Sequence, residues 1–335
     1  MKILAVTHEG KGGGAIAYFK NLYRWIDANQ LFLPNTHKYQ PILNYKLVKK
    51  MLLNELKNND YNLIHNNWVR HLPKIKKDTK VVTTIHHLIF KREVNKRDLL
   101  ADTLCFFIEG STIKKSDYLI TVCKMMKDKI LRYFSFPEDK IFVIPLAVDN
   151  SIYYPQNLPE ENFILFPNAL REPKRKGFYF ILPILKKLLE KYDLKCIITG
   201  KISEEGKKLY AKLTPNFEYL GYIDNKELAK LYNQAIFVIF PSLHEGYGLV
   251  PLEVIASGGI VISSDTGAVK EYLKDGKNGY VLPLIREKWM KILVELIENP
   301  SLREDIRKNN QKEKIHSWRD CAKDHLKFFK KIVEN

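Results

Sequence analysis

Residues 240–273 read FPSLHEGYGLVPLEVIASGGIVISSDTGAVKEYL and divide into strand end, loop, helix and strand. The continuous apolar run 237–240 has strand length and is ended by Pro241 and Ser242. The loop His244-Glu245-Gly246-Tyr247-Gly248 holds two glycines, which let backbone approach a ligand closely. Pro251 suits the first turn of a helix that continues through Ala256 and stops at Gly258 and Gly259. Ile260, Val261, Ile262 and Ser263 make the next strand. The unit predicts one carboxylate, Glu245, in a loop and a second, Glu253, in the first turn of a helix.

A helix N-terminus offers unpaired backbone N–H groups and the positive end of a dipole, so a diphosphate is welcome there. A carboxylate in that turn can accept two hydroxyl hydrogen bonds from an adjoining ribose, which suits Glu253. Glu245 could accept hydroxyls of a sugar held beyond the phosphates. Taken one at a time, Glu253 more readily suits a complement to the helix dipole, and Glu245 a solvated loop residue.

At 335 residues the chain is long for one domain and comfortable for two, and its 45% apolar fraction can fill two cores. No apolar stretch reaches the roughly 18 residues of a membrane span. MKILAV, residues 1–6, reads as a buried first strand rather than a leader. That reading puts the chain in the cytoplasm, soluble or peripheral on the inner face of a membrane. Cys105, Cys123, Cys196 and Cys321 are scattered without a Cys-x-x-Cys pair, which speaks against a zinc site or disulfide framework.

The net charge is +17. Residues 1–150 hold roughly 25 basic against roughly 14 acidic side chains, so much of the excess lies there. Lysine-rich usage, an anionic membrane surface and nucleic acid compete as explanations. No zinc finger, RNA-recognition signature or basic–aromatic pattern supports nucleic acid. Lysine runs such as Lys74-Ile75-Lys76-Lys77 and Lys114-Lys115 can attract anionic headgroups at about 1 kcal/mol per charge.

Short apolar runs alternate with helix-period segments along the whole chain. Runs at 3–6, 63–64, 81–85, 118–122 and 141–144 read as strands, as do 163–166, 196–199, 217–220, 237–240 and 260–262. Between the early runs, Val48, Met51, Leu52 and Leu56 share one helical face. This alternation predicts an α/β protein with parallel sheets and crossover helices, two Rossmann-like doubly wound domains facing a cleft. The seam is DNSIYYPQNLPEE, residues 149–161, rich in proline and polar side chains.

Three more segments could carry chemistry. Lys11-Gly12-Gly13-Gly14-Ala15 follows the first strand and precedes a helical pattern over 16–25. It could present backbone N–H groups to an anion, or simply connect strand to helix. Arg171-Glu172-Pro173-Lys174-Arg175-Lys176-Gly177 follows a strand and precedes an amphipathic helix. Its cations could neutralise a leaving diphosphate, arginine gripping two oxygens and lysine acting as a point charge, or form a solvated turn. Thr83-Thr84-Ile85-His86-His87 ends a strand, where a lone histidine is more often structural than functional. The Asp-x-Asp signature that clamps a divalent metal on a diphosphate is missing, so no metal is expected.

The order Pro241-Ser242, His244-Glu245-Gly246, Gly248, Glu253, then Ser263-Ser264-Asp265-Thr266-Gly267 and Glu271, resembles the donor-site motif of retaining glycosyltransferases. More narrowly it resembles family 4 of those enzymes, which have the GT-B fold. Asp275-Gly276-Lys277-Asn278-Gly279-Tyr280-Val281 is similar to the family's closing hairpin, and Ile144-Pro145 through Tyr154-Pro155 to its linker. The resemblance covers nearly the whole chain. Departures are Leu146-Ala147 for Asn-Gly, Asn168-Ala169-Leu170 before the arginine where a glycine is usual, His87 for aspartate, and Cys123 for serine.

The resemblance implies a first domain at 1–155 on the acceptor side, a donor domain at 156–316, and a helix at 317–335 returning to the first, after a bend at Ser317-Trp318. It implies transfer of a hexose-type sugar from a nucleoside diphosphate, UDP or GDP, to a glycan or lipid-linked acceptor hydroxyl. Lipopolysaccharide, capsule or glycolipid assembly would use such a step. The product is α-linked, with no cofactor or metal. Glu245, His86, Arg171 and Lys176 take catalytic roles, His86 near the primary hydroxyl of the transferred sugar. Gly13, Gly14, Gly246, Tyr247, Gly248, Leu249, Val250 and Glu253 line the donor, with base contacts through backbone near Gly200, Tyr222 and Ile223. A GT-B epimerase, a non-catalytic GT-B partner subunit, and a basic nucleic-acid binder stand as alternatives.

Overall fold

The computed structural model describes residues 1–9, 14–34, 41–67, 72–75, 78–88 and 99–334, the side chains of 41–44 and 99–105 excepted. Gly13, with Lys11 and Gly12, lies outside the described residues, as do Lys76 and Lys77. Contacts divide the chain into two compact units: Met1–Ala147 with Trp318–Asn335, and Val148–Ser317.

Unit 1 is built on β1 (Ile3–His8), β2 (Asn29–Leu33), β3 (Leu63–Asn67), β4 (Lys80–Ile85), β5 (Tyr118–Thr121) and β6 (Ile141–Val143). All pairings are parallel, in the order β2-β1-β3-β4-β5-β6. Helices α1 (Gly14–Leu22), α2 (Pro41–Asn58), α3 (Leu99–Lys114) and α4 (Lys124–Tyr133) connect them. The helical pattern over 16–25 is realised two residues earlier and ends at Leu22. Two features escape the apolar-run reading. β2 is a half-exposed edge strand, with Leu33 its one buried residue. β3 continues past Ile64 through His65, Asn66 and Asn67, all buried, because partners across the sheet satisfy their polar atoms.

Unit 2 is built on β7 (Glu161–Pro167), β8 (Lys195–Thr199), β9 (Phe217–Gly221), β10 (Ala235–Phe240), β11 (Val261–Ser264) and β12 (Tyr280–Leu282). The strands are again all parallel, in the order β12-β11-β10-β7-β8-β9. The central strand β10 is buried at every position, as a strand covered on both faces requires. Its helices are α5 (Phe178–Lys191), α6 (Glu204–Tyr210), α7 (Asn225–Gln234), α8 (Leu249–Ala256), α9 (Val269–Tyr272), α10 (Arg286–Glu298) and α11 (Pro300–Lys312). Ile181, Leu185 and Leu188 of α5 pack with Trp289 and Leu293 of α10 in the core.

The last helix, α12 (Trp318–Glu334), belongs to unit 1. It buries Trp318, Cys321, Ala322, His325, Phe328, Phe329 and Ile332, a stripe at spacings of three and four. Phe328 lies 4.2 Å from the Phe142 ring of β6, and Tyr18 of α1 lies 5.9 Å from Trp318. No helix among the described residues is long and apolar enough to cross a membrane.

In doubly wound sheets a ligand crevice opens beyond the strand C-termini where the strand order reverses. In unit 1 that point lies between β1 and β3, and in unit 2 between β7 and β10.

Candidate functional site

In unit 2 the segments leaving β7 and β10 meet at the reversal. Leu243 N–H donates to the Arg175 carbonyl at 2.8 Å, and the Ser242 Oγ lies 3.1 Å from the same oxygen. Gly177, with φ 72°, allows this closeness: a Cβ there would stand 1.9 Å from the Pro241 carbonyl oxygen. The result brings three donors onto one carboxylate oxygen. Glu245 Oε1 accepts from Lys176 Nζ at 2.7 Å, Arg175 Nη1 at 2.9 Å and the Ser242 hydroxyl at 2.7 Å.

This ion cluster is largely withdrawn from water, with side-chain exposures of 11% for Lys176, 15% for Glu245 and 34% for Arg175. Burial alone would raise the Glu245 carboxyl. The Lys176 and Arg175 charges, with hydrogen bonds from Lys176 and Ser242, outweigh it and hold the group below the usual carboxylate range. Lys176 Nζ also sits 5.2 Å from the Phe240 ring centroid, and Arg175 Nη2 reaches Glu172 Oε2 at 2.7 Å. Arg171 is exposed, and the bonds to Glu245 come from Lys176, Arg175 and Ser242. Arg175, in the same basic turn, is the arginine that bonds Glu245 beside Lys176.

The helix after the loop begins earlier than Pro251. α8 starts at Leu249, so Glu253 is its fifth residue, beyond the first turn. Gly248 caps it at φ 91°, a left-handed backbone that turns the loop sharply into the helix. Tyr247 stacks on Tyr272 at 5.6 Å. Leu249 and Val250 form the half-buried first turn, with Gly246 preceding it in the loop. Half-buried Glu253 accepts from the Tyr232 hydroxyl at 3.2 Å. Burial raises its pKa to about 7, against the lowering influence of that bond and of the Lys176 charge. Lys176 therefore acts electrostatically on both carboxylates.

Gly200, Tyr222 and Ile223 lie at the C-terminal ends of β8 and β9 in the same unit. The Gly200 N–H donates to the Gly221 carbonyl at 2.7 Å, and its carbonyl accepts from Tyr219 at 2.7 Å, so both backbone groups are engaged internally. Tyr222 is 74% exposed and Ile223 half-buried.

In unit 1 the reversal point carries Gly14 at the start of α1, Asn67 at the end of β3 and His86 just after β4. Asn67 Nδ2 donates to the Ala15 carbonyl at 2.9 Å and to Thr7 Oγ1 at 3.0 Å, which turns its Oδ1 toward His86 Nε2 at 2.8 Å. Burial first, then the neighbouring His87 and His325, lower His86 to about 3, so the ring is neutral at ordinary pH. Nε2 therefore carries the proton, and Nδ1 keeps the lone pair with which a hydroxyl can be bound.

Among the described residues no group of three or more His, Cys, Asp or Glu side chains is placed to hold a metal ion.

The sequence matches Glycosyltransferase Family 4 over residues 7–151 and Glycosyl transferases group 1 over residues 154–313, which between them span both units. The chain belongs to the group 1/family 4 glycosyltransferases. Its fold is GT-B. The sucrose-phosphate synthase of Thermosynechococcus elongatus superposes with a TM-score of 0.81 at 16% identity, over 99% of each chain. Anabaena HepE, solved in complex with UDP and glucose, gives 0.75 at 16% identity over 98% of this chain and 99% of that one. An uncharacterized glycosyltransferase of Methanocaldococcus jannaschii is 28% identical over 241 residues, 66% of this chain and 61% of that relative's length.

Within this family frame, the side chains that sequence reading missed are those that support rather than lead. Ser242 stood inside the quoted motif without an assigned role, and Tyr232 sits on α7, where its helical spacing marks it only as core. Asn67 was missed because polar residues after an apolar run read as the start of a loop.

Proposed function

We propose that this chain is a retaining glycosyltransferase that moves a sugar from a nucleoside diphosphate to an acceptor hydroxyl, without a metal ion. The observation that carries the reading is the Lys176–Glu245–Arg175 cluster at the strand reversal of unit 2. A diphosphate entering beside Lys176 would compete with Glu245 for its ammonium, and the two cations would supply the neutralisation that a metal gives elsewhere. Glu245, kept ionised, faces the cationic end of the donor sugar's transition state. Glu253 accepts ribose hydroxyls, and His86 Nδ1 accepts a sugar hydroxyl. UDP in the complex of the similar HepE supports a uridine donor.

The direct test is incubation with UDP-glucose, UDP-galactose and GDP-mannose in EDTA, with and without a lipid-linked sugar as acceptor, following nucleotide release and the anomeric proton of the product. Release with one donor and an α-anomeric product is expected. A strict magnesium requirement would overturn the metal-free scheme. An inverted anomer would overturn retention, and free sugar or epimer without acceptor would point to an epimerase.

The acceptor side is a bacterial-type glycan or a lipid-linked sugar in lipopolysaccharide, capsule or glycolipid assembly. The basic excess of residues 1–150 would draw the enzyme to an anionic membrane. Sedimentation with phosphatidylglycerol vesicles should exceed that with phosphatidylcholine vesicles, and fall as salt rises. Equal sedimentation would leave the charge as lysine-rich usage.

A further inference from the structure

Unit 1 contains a continuous chain of buried polar side chains that ends on α12. Tyr23 Oη lies 2.5 Å from His65 Nδ1, and His65 Nε2 lies 2.7 Å from Thr84 Oγ1. Thr84 Oγ1 lies 3.4 Å from Tyr18 Oη, which in turn lies 2.7 Å from His325 Nε2. His325 Nδ1 stands 2.7 Å from the Cys321 carbonyl oxygen, one turn back on its own helix. All of these side chains are buried.

Their donor and acceptor roles can be assigned in order. A carbonyl only accepts, so His325 Nδ1 carries a proton. A buried imidazole is neutral, so its Nε2 accepts and Tyr18 donates to it. Tyr18 then receives from the Thr84 hydroxyl, Thr84 from His65 Nε2–H, and His65 Nδ1 from the Tyr23 hydroxyl. Burial, with His325 and His86 nearby, holds His65 neutral, as this polarity requires. Every bond points toward α12, so each member has one orientation.

Tyr18 links this chain to the candidate site. Its ring meets the His86 ring edge-on, centroids 4.7 Å apart at 75°. His86 is thus held at Nε2 by Asn67 and packed against the Tyr18 ring, and Tyr18 is aimed by His325. We propose that His325 is a positioning residue: through Tyr18 it fixes the orientation of the His86 ring, so α12 helps set the unit 1 site. The proposal rests on reading His86 as a sugar-hydroxyl contact.

The experiment uses the full chain labelled with 13C-histidine, the His86 Cε1 resonance being identified by its loss in His86→Gln. Tyr18→Phe keeps the ring and its packing while cutting the chain; His325→Leu removes the acceptor; His325→Gln keeps one within reach of Tyr18. Tyr18→Phe and His325→Leu should shift or broaden the His86 resonance. They should also slow nucleotide release from UDP-glucose by about tenfold per folded molecule, since small misplacements are costly in rate. The UDP dissociation constant should stay within twofold, and His325→Gln should restore most of the rate. An unmoved resonance with an unchanged rate in Tyr18→Phe would overturn the proposal, even if His325→Leu failed to fold. If His86→Gln leaves the rate intact while Tyr18→Phe still moves the resonance, the reading of His86 falls and the coupling stands.

Discussion

Replacing Lys176 by alanine is expected to lower turnover by about 100-fold or more, the loss that follows removal of one preorganised charge partner from a developing anion. The ammonium is placed for this role by burial: it is 11% exposed, bonded to Glu245 and set over the Phe240 ring. A cation held in that way cannot relax into water when the diphosphate arrives, so its field is ready before reaction. Stability should suffer less than rate. Glu245 keeps Arg175 Nη1 and the Ser242 hydroxyl, so its charge stays compensated. A loss of about 1–3 kcal/mol is expected for the weakened cluster, below that for stranding a buried charge. Thermal unfolding and single-turnover rates separate the two effects. Turnover within twofold of the parent would remove Lys176 from the chemistry.

Glu253→Gln should strengthen the fold and weaken nucleotide binding, both in a pH-dependent way. Burial raises the Glu253 pKa to about 7, above its unfolded value. The neutral form is therefore favoured in the fold; its stabilising contribution is complete at acid pH and lost as pH rises through about 7. By pH 8 the ionised carboxylate costs about 3 kcal/mol relative to a Glu253 of ordinary pKa. The glutamine variant should melt several degrees above the parent at pH 8, and the difference should vanish toward pH 4. Binding runs the other way. The ribose hydroxyls need the ionised acceptor, so parent affinity should rise relative to the variant as pH passes 7. The expected gap is about 10-fold or more at pH 8, the worth of a charge-assisted hydrogen bond. The variant supplies the baseline for titration of the diphosphate itself. Parallel stability and binding curves from pH 5 to 8 would refute the assignment.

The fold was legible because its central strands are continuous apolar runs between helix-period segments. β7 and β10 show this in the sequence as plainly as in the sheet, and the strand reversal follows from their order. β2 and the end of β3 were not legible. An edge strand needs few apolar side chains, and buried asparagines imitate a loop until their partners are known. At the site, Glu245 and Lys176 were readable from the motif and come together. The helix start was misjudged because Pro251, tolerated anywhere in the first turn, was taken as its beginning; Gly248 caps it instead. The resemblance singled out Arg171, whereas the Arg175–Glu245 bond depends on two segments meeting across 70 residues of chain, which no local pattern shows. The Tyr18–His325 pair spans 307 residues, beyond any local pattern.

The central claim is that the strand reversal of unit 2 binds a nucleoside diphosphate without metal. Calorimetric titration of UDP, GDP and ADP in EDTA, into the parent and into Lys176→Ala, tests it most directly. The account predicts binding of one diphosphate to the parent and an affinity at least tenfold lower in the variant, roughly the worth of one charge-assisted bond. Binding that appears only with magnesium, or equal affinity in parent and variant, would contradict it.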